Sequence, residues 1–176
     1  MPDFQLTPFS PLPGVSVSGG AMRERGGRGL RATFRLLGVE QVLLPPPSLR
    51  PQERDGLWQD TCFELFFGAP GEAAYFELNL SPSGDWAAYA FSAYRQRVAP
   101  LFGLQVFGGR PRAATDGSGA MELDLVLATE AELPPELELG ASAVLAHGGG
   151  ARSYWALTHP AEKPDFHDRR AFLLRL

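Results

Sequence analysis

Residues 57–94 alternate with a period of two through three successive runs, LWQDTCFELFF, AAYFELNLS and WAAYAFSAY. Successive side chains leave opposite faces of a pleated sheet, so this period selects strand and excludes helix over most of the segment. In the first run Trp58, Asp60, Cys62, Glu64 and Phe66 share one parity, and Thr61, Phe63, Leu65 and Phe67 share the other. In the second, Tyr75, Glu77, Asn79 and Ser81 face one way, while Phe76, Leu78 and Leu80 face the other. Short Gly/Pro loops separate the runs. The polar parity mixes carboxylates and an amide with large aromatics, where a plain solvated face favours Lys, Thr and Ser. The segment therefore reads as β-structure with a candidate ligand face.

The rest of the chain repeats the pattern more weakly. Leu30, Ala32, Phe34 and Leu36 alternate with Arg31, Thr33 and Arg35, and Met121, Leu123, Leu125 and Leu127 alternate with Glu122 and Asp124. Both read as strands with one wet face. Residues 101–107 and 171–176 read as further strands, and 141–147 with 152–159 as a hairpin around three glycines. Residues 1–14 are Pro-rich and read as irregular, 44–56 cannot be regular because prolines remove donors, and 129–140 have room for one helical turn. Twenty Gly and sixteen Pro suit tight turns. The expectation is a single all-β domain over 1–176, an antiparallel sandwich of eight to ten strands.

A net charge of −4 argues against nucleic acid, which needs a basic surface. Cys62 is the only cysteine, so no intrachain disulfide forms, and it reads as a small buried hydrophobe. The start MPDFQLTPFSPLPG has neither a basic n-region nor an apolar run, and no stretch reaches membrane-spanning length. The expectation is a cytoplasmic protein without a membrane partner. Its oligomeric state is not written in the sequence.

Glu64, Glu77 and Asn79 fall on one face if their strands pair. Paired carboxylates serve glycosidases, hydrogen-bond ligands, or partner an arginine, here Arg95 or Arg152. Catalysis is the weakest of the three, since nothing else in the stretch suggests a hydrolase cleft. Trp58, Trp86 and Trp155 offer stacking surfaces, although core packing is the better reading for any single tryptophan. Trp58 and Trp86 are the exceptions, each beginning a strand beside an aspartate and a turn, where a ring projects at a rim. His159 and His167 match no compact metal spacing, and a capped turn pinning the last strand is preferred to metal ligation. Haem ligation would fall to His147, His159, His167, Met22 or Met121, without covalent attachment because no CxxCH is present.

Trp58, the Asp60/Glu64 pair, Asn79, then Pro82, Ser83 and Gly84, and finally Phe166 and His167 follow in order. This order and spacing resemble the DOMON-like domains related to the family 9 carbohydrate-binding modules. The resemblance implies a jelly-roll or immunoglobulin-like sandwich that binds a sugar or, in redox relatives, a haem. On that basis the leading expectation is a noncatalytic binding domain for a small carbohydrate or similar polar ligand. Trp58, Trp86 and Trp155 would stack, and Asp60, Glu64, Glu77, Asn79 and Arg95 would hydrogen-bond. A noncovalent haem-binding or electron-transfer domain is the alternative, and a carboxylate-dependent glycoside-processing enzyme comes third. Phe166 and His167 are assigned structural work. Phe166 would anchor the 164–168 loop beside the closing strand, and His167 would hydrogen-bond Asp60 or Glu64.

Overall fold

In the computed structural model, which describes residues 3–99 and 104–176, the alternating runs pair into two antiparallel sheets. The strands are β1 (Asp3–Gln5), β2 (Thr7–Pro8), β3 (Ser16–Arg23), β4 (Gly29–Leu37), β5 (Cys62–Gly68), β6 (Tyr75–Leu80) and β7 (Trp86–Ala93). They continue as β8 (Gln96–Val98), β9 (Leu104–Gly108), β10 (Arg112–Ala113), β11 (Met121–Thr129), β12 (Glu138–Ala146), β13 (Arg152–Ala156) and β14 (Leu174–Arg175). The first sheet runs β1-β3-β4-β11-β10, with β9 also on β11; the second runs β2-β13-β12-β5-β6-β7-β8, with β14 on β12. Among the described residues the only helices are single 3-10 turns, and none is long and apolar enough to cross a membrane.

Strand β4 shows why the sheets face each other. Leu30, Ala32, Phe34 and Leu36 are buried, and the register sets Leu123 opposite Phe34 and Leu125 opposite Ala32. Phe34 then meets Phe63 of β5 across the interlayer, with ring centroids 5.3 Å apart. The opposite face of the first sheet is wet. Arg31 pairs with Glu24 at 2.8 Å, Thr33 donates to Asp124 at 2.7 Å, and Arg35 reaches Glu122 at 3.2 Å. Such exposed pairs contribute little each, and the interlayer carries the stability.

The second sheet differs in kind. All seven residues of β5 are buried, so neither of its faces is a plain solvated one. Phe63, Leu65 and Phe67 enter the interlayer, while Cys62 and Phe66 join Tyr75, Phe91 and Phe172 in a second cluster on the outer face. Two coil segments cover that outer face, 51–60 and 157–172. Arg169 ties the latter down by donating to the Ala69 carbonyl at 2.9 Å and to Glu138 at 2.8 Å.

The sandwich matches the expected fold class, with several local differences. Among the described residues fourteen strands replace eight to ten, because short pieces at the edges pair as well. The N-terminus is not irregular. Phe4 and Leu6 are buried, and β1 and β2 add edges to both sheets. Strand β3 continues through Gly19, where a Cβ would come within 2.6 Å of the Phe4 ring, so only glycine lets that ring lie across it. Residues 57–59 form a 3-10 turn, which takes Trp58 and Asp60 out of the alternation of β5. Residues 129–137 contain no helical turn, and Leu137 exchanges backbone hydrogen bonds with Leu176 instead. The expected 101–107 strand is described only from Leu104, and 101–103 lie outside the described residues.

Candidate functional site

A cavity of about 860 Å³ opens on the outer face of the second sheet. That volume is typical for a small-molecule site. Its floor is strand: Glu64 and Phe66 from β5, Glu77 from β6, Tyr89 and Phe91 from β7, Val144 from β12, and Arg152 and Tyr154 from β13. Its walls are Asp55, Trp58 and Gln59 on one side, Arg95 before β8 and Arg97 within it on another, and Pro164, Phe166 and His167 on the third.

The Ser-Pro-Ser-Gly-Asp turn between β6 and β7 places the first wall. Gly84 has φ +93°, a left-handed backbone that glycine adopts without strain, and its N–H donates to the Ser81 carbonyl at 2.9 Å. The turn aims the buried Asp85 outward at the incoming chain, where it accepts from the Gln52 N–H at 3.2 Å and sits 3.4 Å from Arg54 Nε. Gln52 and Arg54 in turn exchange backbone hydrogen bonds with Trp86. The Pro-rich segment is thereby laid along β7 and delivers Asp55, Trp58 and Gln59 to the cavity. Tyr89 Oη donates to Asp55 at 2.5 Å, and the Arg97 guanidinium lies 4.2 Å over the Tyr89 ring.

Asp165 places the other two walls together. It accepts from Tyr94 Oη at 2.6 Å, from Arg95 at 3.0 Å and from the His167 N–H at 3.1 Å. The Arg95 N–H donates to Tyr75 Oη at 3.1 Å, and that oxygen lies 2.8 Å from His167 Nδ1. Tyr75 Oη thus joins the Arg95 backbone to the His167 ring. His167 Nε2 is 3.7 Å from Glu77 Oε2. Burial, with the Arg95 charge adding, lowers the His167 pKa to about 4, so the ring is neutral near pH 7.

The two floor carboxylates are 3% and 5% exposed. Glu64 is opposite Asn79 in register and Glu77 opposite Phe66, so the acids are diagonal neighbours on one face. Ser142 Oγ donates to Glu64 Oε2 at 2.9 Å, and Asn79 Nδ2 donates to Glu77 Oε1 at 2.8 Å. Burial pushes both carboxyls well above the usual carboxylate range; the charge of Glu77 pushes Glu64 further, and the Asn79 hydrogen bond holds Glu77 back. No arginine pairs with either acid among the described residues. Arg95 is spent on Asp165, and Arg152 donates to the Gln59 carbonyl at 2.6 Å, which corrects the ion-pair alternative.

Of the eight expected ligand contacts, Trp58, Glu64, Glu77 and Arg95 come together on the cavity, and the other four do not. Asp60 is exposed at the end of the 3-10 turn, outside the lining. Asn79 is fully buried beneath Glu77 and orients it. Trp86 pairs with Leu80 and packs on the interlayer core, on the other parity from Tyr89. Trp155 is 2% exposed in the same core, with its indole N–H on Ser153 Oγ at 2.9 Å. The structural roles also change. Phe166 is a half-buried wall ring, and Phe172 is the buried anchor. The 164–168 loop does sit across from Trp58 and Glu64, but His167 bonds Tyr75 rather than Asp60 or Glu64.

Tyr89, Phe91 and Tyr154 also line the cavity and are not among the eight expected contacts. Pairing register was the signal, since Tyr89 lies opposite Glu77 and Tyr154 has the reverse parity of Trp155. The donors named for haem do not assemble. His147 bonds the Gln41 carbonyl and Ser153, His159 bonds the Thr7 carbonyl, and only His167 reaches the cavity.

No family model matches the sequence, and no curated protein matches it in sequence. Solved structures that share its fold include the following three. A family 9 carbohydrate-binding module from Caldicellulosiruptor kristjanssonii, in complex with cellotriose, has 8% identity and a TM-score of 0.59, covering 92% of this chain and 74% of that one. A family 9 module from the same organism, in complex with glucose, has 7% identity and a TM-score of 0.54 over 87% and 72%. A Bacteroides uniformis protein assigned as carbohydrate-binding has 13% identity and a TM-score of 0.56 over 97% and 84%. What the chain shares with all three is the β-sandwich, and the cavity described above lies on one of its two outer faces.

Proposed function

We propose that the protein is a noncatalytic binding domain for a small carbohydrate or similar polar ligand, held in the cavity on the outer face of the second sheet. The observation that carries the reading is the lining itself. Aromatic rings from Trp58, Phe66, Tyr89, Phe91, Tyr154 and Phe166 share one cavity with Glu64, Glu77 and three arginines. Apolar faces for the CH surface of a sugar, with charged groups for its hydroxyls, are the two halves of a carbohydrate site. Two of the fold neighbours are complexes with glucose and cellotriose, which supports the same reading. A binding role suits the acids better than an acid–base pair. General acid and base need their pKa values driven apart, and here both are driven upward.

Titration calorimetry with glucose, cellobiose and cellotriose tests this. Saturable binding at millimolar concentration or tighter is expected with at least one, and a flat isotherm with the whole panel overturns the proposal. Trp58 supplies the sharpest variant. Its side chain is 52% exposed, so Trp58→Ala should leave the melting temperature nearly unchanged. Loss of one stacking ring should weaken the bound sugar by about tenfold, roughly 1.4 kcal/mol. Unchanged affinity would place the ligand away from this wall.

A further inference from the structure

We infer that the cavity prefers a ligand carrying a protonated amine, of which an amino sugar is the simplest case. The inference rests on the carbohydrate reading above and narrows it to a substrate class. It starts from what the two floor carboxylates lack. Glu64 and Glu77 are each more than nine-tenths buried and point into the cavity, and each has a single protein donor. Ser142 satisfies Glu64 Oε2 and Asn79 satisfies Glu77 Oε1. The second oxygen of each acid has no hydrogen-bond donor among the described residues, the nearest approach being His167 Nε2 at 3.7 Å from Glu77 Oε2. His167 is neutral, so it offers no charge.

The cavity is not short of cations, but they are committed elsewhere. Arg95 holds Asp165 at 3.0 Å, Arg97 sits over the Tyr89 ring with Asp55 at 3.7 Å, and Arg152 grips the Gln59 carbonyl. Each of these bonds fixes a wall loop, so recruiting an arginine to the floor would undo the cavity. Two buried acids side by side are costly to ionise, and no protein cation lies within hydrogen-bond distance of either. An ammonium relieves that cost. It has three donors and a full charge, enough to bridge two acceptor oxygens on one face. The rings of Phe66 and Phe91 line the same cavity, and aromatic rings attract cations. A neutral sugar meets the same acids with hydroxyls only, and leaves them either protonated or unpaired.

The experiment is a calorimetric comparison of glucosamine, N-acetylglucosamine and glucose on the intact chain, below the pKa of the free amine. Glucosamine is expected to bind at least about tenfold tighter than either neutral sugar, the scale of one charge-assisted contact. In Glu64→Gln and in Glu77→Gln the preference should fall to within about twofold, with thermal melts confirming that each variant is folded; if one is not, the other decides. Neutral sugars binding as tightly as glucosamine would overturn the inference and leave the carbohydrate reading standing. A preference that survives both substitutions would also overturn it. If no sugar of the three binds, both readings fall together.

Discussion

Phe172→Ala is expected to lower the free energy of unfolding by about 3–5 kcal/mol, the range for a well-packed buried ring. Urea denaturation followed by fluorescence reads the loss. Phe172 is 3% exposed and is the hub of the outer-face cluster. Its ring centroid is 5.7 Å from Phe66 and 5.8 Å from Tyr75, and the Arg169 guanidinium lies 4.7 Å over it. Removing the ring leaves a void against β5 and β6 and frees the strap that Arg169 fastens to Ala69 and Glu138. Phe166→Ala should behave differently. That ring is half-buried on the cavity wall, so its loss should cost about 1 kcal/mol of stability while weakening ligand. If Phe166→Ala proves the more destabilising of the two, the anchor has been assigned to the wrong phenylalanine.

The exchange of roles between these two rings marks the limit of what the sequence shows. Where one face is dry and the other wet, alternation is unambiguous. Strands β4 and β11 carry Leu, Ala and Phe against Arg, Thr, Glu and Asp, and the structure buries the residues that the pattern selects. Strands β5 and β6 are legible too, down to Glu64 and Glu77 on one face. The second sheet, however, is covered on both sides, so polarity no longer separates core from cavity. In β13 the adjacent Tyr154 and Trp155 point opposite ways, and both are aromatic. Ring size favours Trp155 as the ligand contact, while the structure puts the tyrosine in the cavity and the tryptophan in the core. Trp86 fails for the same reason, since Tyr89 holds the opposite parity in β7. Only strand register settles such pairs, and register depends on partners remote in sequence. The short β1 and β2 were hidden similarly, because three-residue and two-residue strands have no period to read.

The Ser-Pro-Ser-Gly-Asp motif shows the other kind of limit. It was recognisable as a turn, but its effect is exerted at a distance, through Asp85 on Gln52 and Arg54. Trp58 reaches the cavity because that turn steers the chain that carries it, although Trp58 itself lies on a 3-10 turn rather than a strand. Likewise Tyr75, one residue of an alternating run, turns out to join Arg95 and His167 through a single hydroxyl.

Glu64→Gln should make the protein more stable, by on the order of 2 kcal/mol at about pH 8, while reducing its discrimination for an amine. A carboxyl of ordinary value 4.5 in the unfolded chain is held well above that in the fold, chiefly by burial and next by the charge of Glu77. The folded protein therefore retains a proton that the unfolded chain gives up. The stabilising share of Glu64 is fully present below about pH 4.5, and it is lost progressively as pH rises through the raised folded value. Glutamine has the same shape, can still accept from Ser142 Oγ, and carries no charge to lose. The two proteins should thus be close in stability near pH 4 and diverge as pH rises, with the variant above the wild type. Burial raises Glu77 as well. His167, lowered from 6.5 to about 4, acts with the opposite sign, since the unfolded chain takes up a proton that the fold refuses. It weakens both proteins as pH falls below about 6.5, and so cancels in the comparison. Denaturant midpoints measured across that range decide the matter. A variant less stable than wild type at about pH 8, or a difference that does not change with pH, would mean that Glu64 already has its counter-charge in the fold and that the floor of the cavity is not waiting for a cation.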